Sequence, residues 1–163
     1  MKKKIVMVFG VFDLLHPGHI SFLKQAKKLA GPQRQQAGLR GGRGTLVVSV
    51  ARDKNVRKVK GKLPIFDEKK RMEHIKQLKI AKKVVLGGLK DAWPHIKKEK
   101  PDIIALGYDQ KPYVTKHETR NMNYEKEFKK ELQKHGLRTI VVRLKPFRPE
   151  VFKSSKIRFK VKG

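Results

Sequence analysis

The sequence of 163 residues contains no cysteine. This excludes disulfide bonds, thiolate zinc sites and cysteine nucleophiles, and it suits a reducing compartment. Long apolar runs are also missing, because no stretch approaches the ~20 residues that a membrane-spanning helix needs. The short apolar run after Met1 ends at Gly10 and predicts a strand, not a signal peptide. We therefore expect a soluble, cytoplasmic protein.

Acidic residues are scarce: 14 Asp and Glu stand against 42 Lys and Arg, a formal net charge of +28. Such a charge attracts polyanions, so it leaves nucleic acid, an anionic membrane surface and small phosphorylated substrates open as partners. A generally Lys-rich, solvated surface explains it equally well. The basic residues are spread along the chain, which argues against a detachable nucleic-acid arm.

Short apolar runs alternate with segments of helical spacing. The runs contain many β-branched residues and are nearly continuous, as in a parallel sheet covered on both faces. They occupy residues 5–9, 45–50, 84–86, 103–106 and 139–144, and helical spacing follows at 20–30, 72–78, 93–96 and 124–132. This order predicts an α/β fold: a single Rossmann-like, doubly wound parallel sheet of about five strands, forming one domain over residues 1–163. Its ligand site should lie beyond the carboxyl ends of the strands.

Residues 31–44 interrupt this pattern with five Gly, one Pro and three Arg. We expect a flexible loop here between the first helix and the second strand. Its Gly/Arg composition also leaves an RNA contact open, although a plain surface insertion is the simpler interpretation.

The first strand ends in GVFDLLHPGH, directly before the first helix. Gly10 and Gly18 allow close approach of a ligand to the backbone, and the start of a helix favours phosphate. His16 and His19 can both face one phosphate and donate to the negative charge that develops in phosphoryl or nucleotidyl transfer. From spacing alone, a metal site at His-x-x-His and a structural helix cap at His16 stay open.

The segment GVFDLLHPGH resembles the G-x-F-D-x-x-H-x-G-H signature of the HxGH nucleotidyltransferases, the cytidylyltransferase-like group. The remaining segments typical of that family follow in order: the basic stretch 57–62, EKKR at 68–71, LGYDQ at 106–110, and Arg148 with SSKIR at 154–158. The resemblance implies an enzyme that transfers a nucleoside monophosphate from a nucleoside triphosphate to a phosphorylated acceptor. No covalent intermediate with the protein is expected.

The resemblance also implies roles for particular residues. Catalytic roles fall on two histidines that stabilise the α-phosphate and three cations that neutralise phosphates: His16, His19, Lys58, Lys60 and Arg71. The resemblance assigns nucleotide binding to the first turn, to the end of strand four and to a C-terminal Ser turn. The residues concerned are Gly10, Val11, Phe12, Asp13, Gly18, Gly107, Asp109, Ser154 and Ser155. Mg²⁺ is expected to enter with the triphosphate and without a dedicated set of side-chain ligands.

Two departures from the family pattern concern nucleotide binding. Many relatives carry Thr at the position of Val11, and Ser or Thr at the position of Lys156. The hydroxyl contacts that those residues would supply are absent from this chain.

Within the group the sequence is most similar to archaeal-type FAD synthases, which share VSVARD at 48–53, the following VRKVKG, and LGYDQ. This implies transfer of AMP from ATP to FMN. The C-terminal cysteines of many such enzymes are absent. A glycerol-3-phosphate cytidylyltransferase that uses CTP is the first alternative, and a heptose-type sugar-phosphate nucleotidyltransferase is the second. Outside enzymes, the +28 charge leaves a basic RNA-binding module open. The resemblance further suggests a homodimer, and no membrane partner.

Overall fold

The computed structural model describes residues 3–31, 44–112, 123–153 and 157. The predicted loop at 31–44 therefore lies almost wholly outside the described residues, as do Ser154, Ser155 and Lys156.

Among the described residues, five strands form one parallel sheet: β1 (Ile5–Gly10), β2 (Thr45–Val50), β3 (Lys83–Leu86), β4 (Ile103–Leu106) and β5 (Ile140–Arg143). Their spatial order is β3-β2-β1-β4-β5. From β1 the chain first forms β2 and β3 on one side of the sheet, and then returns to form β4 and β5 on the other side of β1. The predicted α/β fold with a doubly wound parallel sheet is confirmed.

In the part of the chain that the structure describes, five helices lie between the strands: α1 (Pro17–Leu29), α2 (Asp53–Lys60), α3 (Glu68–Gln77), α4 (Trp93–Glu99) and α5 (Tyr124–Lys134). Helix α2 was not expected from the sequence, because its residues DKNVRKVK bury a single side chain, Val56. Helical periodicity cannot be detected from one apolar residue. The helix ends at Gly61, whose φ of 71° is the left-handed conformation that glycine adopts readily.

Two apolar layers lie on opposite faces of the sheet. On one face Val8 and Val48 pack with α1 and α3 through Leu23 and Ile75. On the other face Met7 is one of the strand residues that pack with α4 and α5. Alternate residues of the central strands therefore point to opposite layers, both of them buried, which explains the continuous apolar runs.

Strands β1 and β4 separate before their carboxyl ends. Pairing of β1 with β2 extends to Gly10, whereas its described pairing with β4 covers Val6–Ile103 and Met7–Ile104. A crevice thus opens between β1 and β4, at the point where the strand order reverses. This is the position where open α/β sheets bind ligands.

None of the helices in the described part of the chain is long and apolar enough to cross a membrane.

Candidate active site

The turn after β1 leads directly into α1 and positions His16 at the helix N-cap. Its Nδ1 accepts a hydrogen bond from the Gly18 backbone N–H at 3.1 Å. Because Nδ1 is an acceptor, the proton of the neutral ring is on Nε2. His16 is 8% exposed, and its capping contact uses Nδ1 alone. The helix-cap interpretation of His16 and its predicted catalytic role are therefore compatible.

The rings of His16 and His19 stack with their centroids 3.9 Å apart and an interplanar angle of 26°. The rings of Phe12 and His19 contact each other in an edge-to-face arrangement, with their centroids 5.5 Å apart. Burial, the neighbouring His16 and the charge of Lys60 lower the pKa of His19 to about 4, against a smaller opposing effect of the Leu14 carbonyl. Burial also lowers the pKa of His16. Both imidazoles are thus mainly neutral near pH 7 and carry no fixed positive charge.

Two glycines of the turn are required by neighbouring rings. A Cβ on Gly10 would lie 2.6 Å from the Phe12 ring, and Phe12 itself has a φ of 51°. A Cβ on Gly18 would lie 2.8 Å from Cε1 and 2.9 Å from Nδ1 of His16. Gly10 therefore makes room for Phe12, a reason that the sequence did not reveal, and Gly18 allows the position of the His16 ring.

Asp13 connects this turn to the segment that precedes α3. Its two carboxylate oxygens accept hydrogen bonds from the backbone N–H groups of Ile65 and Phe66, at 2.8 and 2.9 Å. The side chain is almost fully buried. This geometry gives Asp13 a structural role. Its predicted contact with the nucleotide stays a prediction.

Arg71 projects from α3 into the protein and is 0% exposed. Its guanidinium donates to the carbonyls of Val11, Ala51 and Phe66 and forms an ion pair of 2.7 Å with Asp53. The carboxyl ends of β1 and β2 and the start of α3 are therefore joined by one side chain. The structure brings Arg71 to the base of the site, and its predicted contact with the triphosphate stays a prediction.

The structure also assigns contacts to three residues for which the sequence predicted no role. Asp53 and Glu68 each accept the backbone N–H of the other, at 3.1 and 2.9 Å. Arg52 pairs with Glu68 at 3.0 Å and donates to the Gly87 carbonyl. These contacts lock α2 to α3. Arg52 and Asp53 occur in the shared VSVARD segment, which was the available signal.

The predicted cations of α2 are exposed on the helix that follows β2. The charge of Lys60 is close enough to His19 to contribute to lowering its pKa. Lys58 is exposed on the same helix. Both ammonium groups are therefore available to an anionic ligand.

Gly107 and Asp109 lie immediately after β4, across the crevice from β1. The Asp109 carboxylate is half exposed and lies 3.5 Å from the ammonium of Lys153. Lys153 is the last described residue before the predicted Ser154–Ser155 turn. Among the described residues, no group of three or more His, Asp or Glu side chains gathers as a metal site.

The chain matches the cytidylyltransferase-like family over residues 7–160. It belongs to that family and is a nucleotidyltransferase, the class of enzyme that the sequence predicted.

Two individual relatives carry the name FAD synthase, which is more specific than the family. The FAD synthase of Thermoplasma volcanium is 38% identical over 156 residues, which are 96% of this chain and 92% of the relative. The FAD synthase of Korarchaeum cryptofilum is 44% identical over 142 residues, 87% of this chain and 82% of the relative. A crystal structure of the lipopolysaccharide core biosynthesis protein from Thermoplasma volcanium is similar with a TM-score of 0.71 and 38% identity, covering 88% of this chain and 98% of that one.

Proposed function

We propose that this chain is an FMN adenylyltransferase, which transfers AMP from ATP to FMN and releases pyrophosphate to form FAD. The observation that carries the proposal is the stacked pair of His16 and His19 at the start of α1, in a chain similar to curated FAD synthases over almost its whole length. The resemblance of the sequence to archaeal-type FAD synthases also indicates ATP and FMN as the substrates.

In this reaction a phosphate oxygen of FMN attacks the α-phosphorus of ATP. The bond between the α-phosphorus and the bridging oxygen breaks, and that oxygen leaves with pyrophosphate. The reaction needs no protein nucleophile, because positioning and charge stabilisation account for most catalysis of this type.

The histidines supply donors for the charge that develops on the α-phosphate. His16 keeps its proton on Nε2 since Nδ1 accepts from Gly18. Neutral imidazoles present N–H donors without repelling each other, which two stacked imidazolium ions would do. Lys58 and Lys60 on α2 complete the positive surroundings.

The nucleoside is proposed to lie on the β4 side of the crevice. Gly107 permits close approach there, and Asp109 offers a carboxylate to ribose or base hydroxyl and amino groups. Ser154 and Ser155 are proposed to bind the β- and γ-phosphates. Mg²⁺ would be held by the triphosphate and would screen its charge.

The test is pyrophosphate release by the purified chain in the presence of Mg²⁺. ATP and CTP are each combined with FMN, with glycerol 3-phosphate and with a heptose-type sugar phosphate. Turnover with ATP and FMN, lost in His16→Ala and retained in the matched control His135→Ala, is the expected result. His135 is exposed at the end of α5, on the face of the sheet opposite to α1.

Other outcomes would overturn the substrate assignment in a defined way. Turnover with CTP and glycerol 3-phosphate identifies a cytidylyltransferase, and turnover with a sugar phosphate alone identifies a heptose-type enzyme. No turnover with any pair leaves a different acceptor or a binding module. The homodimer and the cytoplasmic location stay predictions.

A further inference from the structure

The loop that follows β4, residues Gly107 to Gln110, is held by its own last side chain. The Gln110 Oε1 accepts from the Gly107 backbone N–H at 3.1 Å, and its Nε2 donates to the Phe9 carbonyl at 3.1 Å. Phe9 lies near the end of β1, in the region where the described pairing of β1 and β4 has already ended. One side-chain amide therefore replaces the missing strand-to-strand contact and spans the crevice at its base.

The same loop is held from the other side by Arg143 at the end of β5. Its Nη1 lies 2.6, 3.2 and 3.0 Å from the carbonyl oxygens of Gly107, Tyr108 and Gln110. Its Nε donates to Glu125 of α5 at 2.7 Å. A single guanidinium thus fixes three carbonyls of a four-residue loop, and the carboxylate fixes the guanidinium.

This arrangement determines where the loop directs its amides. In a trans peptide the C=O and the following N–H point in opposite directions. Because Arg143 attracts the Gly107 and Tyr108 carbonyls, the N–H groups of Tyr108 and Asp109 point away from Arg143. Asp109, whose carboxylate lies 3.5 Å from the ammonium of Lys153, belongs to the same loop.

We infer that Gln110 and Arg143 are positioning residues for the nucleoside triphosphate: they hold the 107–110 loop in the shape that binds it, from opposite sides. The inference rests on the proposed function, since it takes Gly107 and Asp109 as nucleotide-binding residues. Neither side chain needs to touch the substrate. Their loss weakens nucleotide binding, while binding of the acceptor is unaffected.

Two conservative variants test this. Arg143→Lys keeps the charge, but a single ammonium cannot reach three carbonyls and a carboxylate together. Gln110→Glu keeps an acceptor for Gly107 and places a carboxylate against the Phe9 carbonyl. Arg138→Lys, at an exposed position between α5 and β5, is the matched control. Glu125→Gln is a milder variant that keeps a hydrogen-bond acceptor for Arg143.

The measurements are KM for ATP, KM for FMN and kcat, together with calorimetric titration of a non-hydrolysable ATP analogue and the thermal midpoint. We expect KM and Kd for the nucleotide to rise about tenfold in Arg143→Lys and Gln110→Glu, as losing one or two hydrogen bonds implies, with a smaller rise in Glu125→Gln. KM for FMN and the control variant should not change.

Three results would overturn the inference: unchanged nucleotide KM, an equal rise in both KM values, or a fall in kcat alone. If a variant does not fold, Glu125→Gln decides the question. A wild-type chain that binds the ATP analogue but does not turn over with FMN contradicts the proposed acceptor, and the titration still tests the loop. A wild-type chain that binds no ATP analogue overturns both.

Discussion

His19 is buried, stacks on His16 and lies near the charge of Lys60, and its pKa is lowered from the ordinary 6.5 to about 4. Protonation of His19 is therefore linked to the stability of the fold. Between these pH values the unfolded chain binds a proton that the folded chain does not. The free energy of unfolding should therefore fall as pH decreases from about 6.5 to 4, by at most about 3 kcal/mol from this group. Urea denaturation across that pH range measures the slope.

The matched variant for this prediction is His19→Gln, which does not titrate. In this variant the free energy of unfolding should change less between pH 6.5 and 4. The change that is left includes the contribution of His16, whose pKa is also lowered. An NMR titration of the His19 ring provides a direct check. A titration midpoint of His19 near pH 6.5 in the folded protein would contradict the lowered pKa and its predicted effect on stability.

Gly18 offers a second test at the scale of single atoms. In Gly18→Ala the new Cβ would lie within 2.9 Å of two ring atoms of His16, so the ring must move. We expect kcat to fall about 100-fold, the size of effect that a small misplacement of a catalytic group causes. Steady-state pyrophosphate release gives the value.

Gly87→Ala is the control for that substitution. Its Cβ would meet neighbours at 3.4 Å or more, and Gly87 lies after β3, outside the proposed site. It should keep wild-type kcat. Equal losses in both variants would show that general destabilisation, not the position of His16, is responsible.

At the scale of elements, Arg71 joins β1, β2 and the start of α3. Arg71→Lys removes the fork that reaches Val11, Ala51, Phe66 and Asp53 together. We expect the free energy of unfolding to fall by about 3 kcal/mol, because buried carbonyls lose their donor. Chemical denaturation, with exposed Arg57→Lys as control, measures this.

The alternative for Arg71 has a different signature. If its main role is direct contact with the triphosphate, Arg71→Lys keeps its stability and raises KM for ATP. A stable variant with raised KM would thus favour the role predicted from the sequence over the structural one.

These contacts also explain what sequence reasoning could and could not foresee. The strands were predictable because burial on both faces gives continuous apolar runs, and β2 and β4 have the bounds expected from the sequence. The His16 cap was open to prediction because its partner Gly18 is two residues away. By contrast, Asp13 binds Ile65 and Phe66, which follow it by 52 and 53 positions in the sequence. Gln110 binds Phe9, which precedes it by 101 positions. No local pattern records such pairings.

Across the whole molecule, the charge of +28 and the proposed pocket should respond differently to salt. Binding of a polyanion such as single-stranded RNA releases counterions in proportion to the phosphates contacted. With six to ten contacts, affinity should fall about 10³-fold or more between 50 and 200 mM salt. A nucleotide held by hydrogen bonds from fixed donors contacts few phosphates and should depend weakly on salt.

We therefore expect this chain to bind RNA at low salt and to lose that binding at 200 mM, while kcat/KM for ATP changes less than about tenfold over the same range. Fluorescence anisotropy of a labelled oligonucleotide and pyrophosphate release, both at constant free Mg²⁺, give the two slopes. RNA affinity that persists at 200 mM salt would contradict a purely electrostatic surface. Such a result, combined with absent turnover, would make the RNA-binding module the better explanation of the charge.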